Sequence, residues 1–372
     1  MINRNTGPAW ANTRVSATLG IKYPIIQGAL GGFASQRLTA AVSNYGGLGS
    51  FGAHGLTPSA IKDVIAELRS MTDKPFAMNL WVSMEDNGAK TSDEAAFRRS
   101  LAMLAPHIQS LGGTLPSYKP YSAMNFEEQV QVLIDAKVSA FSFIYGIPPK
   151  DILDECRAKG IVIIGTATTL DEAIELQKAG VDVIAAAGFE AGGHRGSFLR
   201  SSEDSLTGTF SLVPQVADRV SVPVVAAGGI ADARGIVAAF VLGAEAVQIG
   251  TAFLACEESG ASPRHREALL RGEGGHTALT RGFTGRLGRG IKNRLLDMMN
   301  APEVGILPYP LQRYLMRNIS APAEKSGRQE FIPMWAGQSA NLTHHTKATE
   351  LMDELVSGVS AIIDRTIATK AK

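Results

Sequence analysis

Residues 222–251 read VPVVAAGGIADARGIVAAFVLGAEAVQIGT. An apolar run ends at Gly228-Gly229. A helical pattern follows over 232–242, with Asp232 placed to cap it and Gly243 to stop it, and a second apolar run ends at Gly250-Thr251. Short apolar runs without polar alternation fit strands buried on both faces. A helix between two such runs makes them parallel neighbours, because a parallel partner is reached only through a crossover. Toward the N-terminus the same unit recurs. Strands are expected at 181–187, 161–165, 139–144 and 76–82, a turn into a short strand over 46–51 and a strand at 25–27, with helices at 213–219, 170–179, 149–159, 127–137, 58–70 and 37–45. Thr57 and Pro58 are a cap and first-position pair, and Gly180 ends its helix. Alternation of this kind predicts an α/β fold, a (β/α)8 TIM barrel rather than an open sheet.

The rhythm breaks in two places. Residues 83–126 read as an excursion, inserted in a barrel core of residues 1–255 and lying over its active face. Residues 256–372 read as a small additional C-terminal segment of helices and loops. It packs on the barrel and covers the site, with a polar stretch at 257–300 and a closing helix at 346–368. Residues 3–20 read as a leading helix or loop ending at Gly20, and 197–213 as a linker.

Composition narrows the function. The chain has 372 residues, 45% hydrophobic and 19% charged, with a net charge of +1. Near-neutrality argues against nucleic acid or an anionic membrane as the main partner. Cys156 and Cys256 are scattered and read as reduced thiols. The first twenty residues lack a signal-peptide core, and no apolar run approaches the ~20 residues of a membrane helix. A cytoplasmic protein is the expectation.

In such a barrel the strand C-termini form the active face. The sixth strand runs into AAAGFEAGGHRG, residues 185–196. A glycine-rich turn there holds His194, an imidazole at the place where these enzymes do chemistry. The seventh and eighth strands end in Gly228-Gly229 and Gly250-Thr251. Glycine N–H groups and a hydroxyl at those two ends suit a phosphate. Gln27, Asn79 and Gln248 carry amides that suit a flat heterocycle with carbonyl and N–H edges. Together these features point to a flavin mononucleotide. Gly47, Gly49 and Gly52 match G-x-G-x-x-G, but no strand precedes them and no helix follows, so they do not read as a dinucleotide site. Tyr118, Tyr121, Tyr145, Tyr309 and Tyr314 are candidates for closing the pocket. Arg281, Arg286 and Arg289 either reach an anion or form a solvated basic loop. His54, His107, His265, His276, His344 and His345 show no metal-ligand spacing, and no metal is expected.

Taken together, PIIQGALGG (24–32), FAMNLWV (76–82), AAAGFEAGGHRG, residues 223–269, FTGRLGRGIKNRL (283–295) and WAGQSA (335–340) resemble nitronate monooxygenase. The older name of that family is 2-nitropropane dioxygenase, and the likeness is to its class I branch. The resemblance implies a TIM-barrel flavoprotein with non-covalent FMN, without metal or external reductant. It implies oxidation of alkyl nitronates by O2 to a carbonyl compound and nitrite. By position, His194 falls on the family's catalytic histidine. Asn79, Gly192, Gly193, Gly228, Gly229, Gln248, Gly250 and Thr251 fall on flavin contacts. Gln27, Ala29 and Leu30 lie in its first motif, and Gln338 and Ser339 in its C-terminal segment near the flavin. Leu30 stands where methionine is usual and Ala187 where glutamine is frequent, so substrate identity stays open. A flavin-dependent NADH:quinone or enoyl-acyl-carrier-protein reductase is the alternative. Arg195 and ACEESGASP favour the monooxygenase. The implied partners are a small nitronate and O2, and a homodimer is compatible with the reading.

Overall fold

The computed structural model describes residues 8–83, 94–119, 124–301 and 304–370, with side chains as far as residue 366. Eight parallel strands form the centre: β1 Ile25–Gln27, β2 Gly49–Gly52, β3 Phe76–Trp81, β4 Ala140–Ile144, β5 Val162–Ala167, β6 Val183–Ala187, β8 Val224–Ala227 and β9 Ala246–Ile249. The seventh strand in chain order, β7 Gly193–His194, lies outside that sheet and pairs with β10 Thr277–Thr280 and β11 Gly288–Ile291 in a separate antiparallel one. The main sheet runs β1-β9-β8-β6-β5-β4-β3-β2. It is drawn round on itself where Leu48 N–H donates to Ile25 O and Gln27 N–H to Leu48 O, both at 2.9 Å. The fold is therefore the expected TIM barrel, nearly closed.

The helices, in chain order, are α1 Arg14–Leu19, α2 Gln36–Tyr45, α3 Pro58–Met71, α4 Glu94–Ser110, α5 Phe126–Ala136, α6 Lys150–Ala158, α7 Leu170–Ala179, α8 Thr209–Ala217, α9 Ala233–Val241, α10 Thr251–Leu254, α11 Pro263–Leu270, α12 Arg294–Met299, α13 Leu311–Ser326 and α14 Ala348–Lys370. Local chemistry explains several boundaries. Thr57 accepts from Ala60 N–H, Asp232 accepts from Arg234 and Gly235 N–H, and Gly180 takes the left-handed conformation at φ 80°. The helix expected at 213–219 starts earlier, at Thr209. The Glu190 carboxylate, from the turn after β6, receives Thr209 N–H at 2.9 Å and so caps α8 from a distance. Thus the linker is shorter than its polarity suggested.

Side chains inside the barrel form their own layer. Ile26, Leu48, Ala77, Ile164, Val183 and Val225 pack there, and Val15 and Leu19 of α1 plug the bottom. The leading element is therefore a single helical turn and a half preceded by a short 3-10 turn at Ala9–Ala11, with residues 1–7 outside the described range. A second layer lies between strands and outer helices, and α14 joins it through Leu351, Leu355 and Val359. A third cluster has no strand of the barrel in it: Phe97, Leu104 and Ile108 of α4 meet Leu315 and Ile319 of α13. The described part of the 83–126 excursion is thus a helix docked on the C-terminal segment; residues 84–93 and 120–123 lie outside the described range.

The Gly47, Gly49 and Gly52 motif belongs to packing. A Cβ on Gly49 would fall 2.0 Å from Thr39 O, and one on Gly52 2.7 Å from Gly31 Cα. β2 needs glycine because α2 and the 28–32 loop press directly on its backbone. Among the described residues no helix is long and apolar enough to cross a membrane.

Candidate active site

The strand C-termini open on a cavity of about 720 Å³, within the range of cofactor and substrate pockets. Of the expected site residues, Ala29, Leu30, Asn79, Gly192, Gly193, His194, Gly228, Gly229, Gln248, Gly250, Thr251 and Ser339 all line it. Gln27 and Gln338 do not. Gln27 is fully buried beneath the floor, where its carbonyl accepts from Ser50 N–H at 3.0 Å and its amide meets Gly28 O. It shapes the Gly28–Leu30 loop from below. The Gln338 side chain is exposed, and its backbone N–H reaches Glu190 O at 2.9 Å.

One end of the cavity is a backbone cradle. Gly228 and Gly229 hold φ 101° and 72°, which side-chain-bearing residues rarely adopt. The segment 337–339 is laced onto them. Ser339 Oγ donates to Gly229 O at 2.5 Å, and Gly337 N–H donates to Thr251 Oγ1 at 2.9 Å. A Cβ on Gly192 would fall 2.5 Å from Gly337 N, so backbone meets backbone here. Further in, Asn79 Nδ2 donates to Ser142 Oγ at 2.9 Å. Leu30 sits at φ 47°, a left-handed conformation that costs a non-glycine residue ~1–2 kcal/mol. Such strain is found where the surroundings impose a conformation, and binding loops are the usual case.

At the other end His194 lies on β7, which pairs with β11 so that His194 faces Gly288. Its Nε2 is 2.7 Å from Thr284 Oγ1, while Nδ1 has no hydrogen-bond partner among the described residues. The ring packs on Trp335 at 4.8 Å, Trp81 at 5.2 Å and Tyr309 at 6.4 Å. Although the ring is partly open to the cavity, protein surrounds it. Burial first, then the nearby Arg286, Arg313 and His54, hold its pKa well below the ordinary value. The imidazole is therefore neutral at physiological pH.

The remaining groups at this end have little prominence in the sequence. His54 stacks on Trp81 at 3.8 Å, and its buried Nδ1 has no hydrogen-bond partner among the described residues. The guanidinium of Arg286 lies over the rings of Tyr145 and Tyr309 at 4.0 and 4.6 Å and donates to Ser83 O. Arg289 is buried and bonds Phe189 O, whereas Arg281 is a surface partner of Glu203. Arg313 and Arg317 of α13 line the cavity, and among the described residues neither pairs with a carboxylate. Arg195 is structural: its guanidinium bonds the carbonyls of Ala187, Thr168 and Ser205. Of the five tyrosines, Tyr145 and Tyr309 belong to the aromatic cluster at this end of the site, while Tyr118 and Tyr314 pack on Phe97; Tyr121 lies outside the described residues. Trp81 and Trp335 lie within FAMNLWV and WAGQSA, although neither stretch singles out its tryptophan, and Arg313 belongs to no sequence motif. Only their position at a strand end or on a late helix brings them here.

An eight-stranded parallel barrel with a neutral imidazole and a glycine cradle at the strand C-termini is an enzyme of the TIM-barrel class. The chain belongs to the nitronate monooxygenase family, whose model matches residues 12–358, and it is thus an oxidoreductase of a flavin-dependent family. It is 40% identical over 356 residues to a probable nitronate monooxygenase of Staphylococcus haemolyticus, covering 95% of this chain and 99% of that protein. A Staphylococcus aureus protein of the same description is 39% identical over 355 residues, with the same coverage. Among solved structures, nitroalkane oxidase from Streptomyces ansochromogenes superposes with a TM-score of 0.85 at 32% identity, covering 95% of this chain and all of that one. FabK from Thermotoga maritima superposes with a TM-score of 0.75 at 29% identity, covering 96% and 99%.

Proposed function

We propose that the protein binds FMN non-covalently and oxidises alkyl nitronates, and the nitroalkanes they come from, with O2 to a carbonyl compound and nitrite. The observation that carries this reading is the meeting, in one glycine-cradled cavity, of His194 with Arg313, which pairs with no carboxylate among the described residues. The cradle fits the cofactor. Gly228, Gly229, Gly250, Thr251 and Ser339 would hold its phosphate, and Ala29, Leu30, Asn79 and Gln248 would border its ring. When bound, the flavin accepts the substrate's electrons and passes them to O2.

The chain's own residues prepare the substrate. Arg313 and Arg286 supply positive potential for the anionic nitronate in a water-poor site, where charge interactions are strong. Thr284 accepts the Nε2 proton of His194, which leaves the Nδ1 lone pair free to take the α-proton of a neutral nitroalkane. Trp81 and Trp335 fix the imidazole ring and exclude water. Nitronate and O2 are then the small-molecule partners.

The test is anaerobic mixing of the purified yellow protein with propionate 3-nitronate or with NADH. Rapid bleaching of the flavin by the nitronate and little by NADH is expected. Fast bleaching by NADH with quinone or enoyl turnover would move the protein to the reductases.

A further inference from the structure

Along the chain His344 and His345 stand ten and nine residues from Glu354, a spacing that no metal motif shares. Folding brings the three together. Each offers one ligand atom, and these atoms lie within 4.8 Å of one another. His344 Nε2 is 2.9 Å from Glu354 Oε2, and His345 Nε2 touches the same oxygen. His344 Nδ1 is 3.0 Å from Leu342 O. A carbonyl can only accept, so Nδ1 carries a proton; Nε2 donates to the carboxylate in the imidazolium and offers a lone pair there in the neutral ring. Two imidazole nitrogens thus converge on one carboxylate oxygen, a donor set that binds a proton at each nitrogen or, once those protons are released, a metal cation between them. Histidine ligands oriented by a backbone carbonyl through their other nitrogen are the usual second layer of a metal site.

We propose that His344, His345 and Glu354 form a binding site for a divalent transition-metal ion, with Zn²⁺ the best chemical match and water completing the coordination. Two imidazole nitrogens and one carboxylate suit Zn²⁺, whereas Mg²⁺ and Ca²⁺ take oxygen ligands. The His344 side chain is 61% exposed, which leaves the ion an open path and room for water. The same small cleft is lined by Thr343, whose buried hydroxyl has no hydrogen-bond partner among the described residues. An ion here would fasten the end of the 337–345 segment to α14. That segment also carries Gly337 and Ser339 to the cavity wall. The site stands on its own donor set and does not depend on what the cavity binds.

The experiment uses full-length protein without a histidine tag, stripped with EDTA and desalted, then titrated calorimetrically with ZnCl2. One saturable equivalent is expected, undiminished by excess MgCl2. His345→Ala and Glu354→Gln should each weaken binding about tenfold or more. Thermal unfolding in EDTA should match wild type for both variants, since their side chains are partly exposed, and Zn²⁺ should raise the Tm of wild type alone. CoCl2 should give wild type a visible d–d band that both variants lack. A wild type without a saturable Zn²⁺ site would overturn the proposal, as would variants that bind Zn²⁺ as wild type does.

Discussion

His194 gains its properties from what surrounds it. Protein burial and two neighbouring guanidinium groups oppose its protonation, so the base form persists below the ordinary histidine range. With a neutral nitroalkane, kcat/KM should therefore show no inflection as pH falls through about 6.5; a loss of activity centred there would mean that the ring titrates normally. Replacing His194 by Asn removes the base. A fall of ~10²- to 10⁴-fold in rate is expected with neutral nitroalkanes, and a smaller one with preformed nitronates, whose proton is already gone. Wild-type-like turnover of both forms would make the histidine structural. Arg313→Ala tests the opposite charge. A hydrogen bond to a charged group contributes about 1.5–3 kcal/mol, so KM for a nitronate should rise about 10- to 150-fold with little change in flavin content. An unchanged KM would place the anion elsewhere.

The element that places His194 is the antiparallel sheet of β10, β11 and β7, which in sequence is only a polar stretch and a glycine-rich turn. Each strand is short, and Gly288 and Gly290 erase the alternation that marks a half-buried strand. Moreover, the partner of β11 is a two-residue strand almost a hundred positions earlier. No local pattern encodes such a pairing. Gly288 is where the element is most tightly constrained: a Cβ there would lie 2.7 Å from the Trp335 ring and 2.9 Å from Gly193 O. Gly288→Val should push β7 and Trp335 apart. Overpacking of this kind costs ~1–3 kcal/mol, so a lower Tm is expected together with a reduced kcat. Full kcat in a stable Gly288→Val protein would show that this sheet does not position the histidine.

At the scale of the molecule, buried groups that must stay neutral hold the C-terminal segment together and against the barrel, where the ring of His265 packs on Phe33. His265 of α11 is one. Its Nε2–H donates to Trp335 O at 2.9 Å, yet burial prevails and pushes its pKa down to about 4. His54 is lowered to about 3 by burial and by Arg313 and Arg286. A histidine with a depressed folded pKa contributes fully above its unfolded value of about 6.5. As pH falls below that value the unfolded state binds more protons, and stability is lost toward the folded pKa. For His265 the loss is ~1.4 kcal/mol per pH unit, or ~3 kcal/mol by pH 4. Denaturant unfolding at steps from pH 7 to 4 should show this decline, and His265→Gln, which keeps a donor for Trp335 O, should flatten it. Equal slopes for the two proteins would exclude His265 as the source.

What the sequence determined by itself was the barrel, its helix caps and the strand-end residues. These rest on short-range physics: apolar runs that must be buried on both faces, Asp232 and Thr57 beside the N–H groups they cap, and Gly228-Gly229 where a strand turns. A parallel sheet then brings every strand end to one face, so Asn79, His194, Gln248 and Thr251 meet although the chain separates them widely. The tertiary structure alone decided what that face does with its charges. Arg313 and Trp335 come from the C-terminal segment and Arg286 from the loop of its hairpin. Gln27 turned under the floor because Ser50 N–H required an acceptor, and α8 began early because Glu190 reached it. Such matches depend on distance in space between groups remote in the chain, and spacing along the sequence carries no record of that distance.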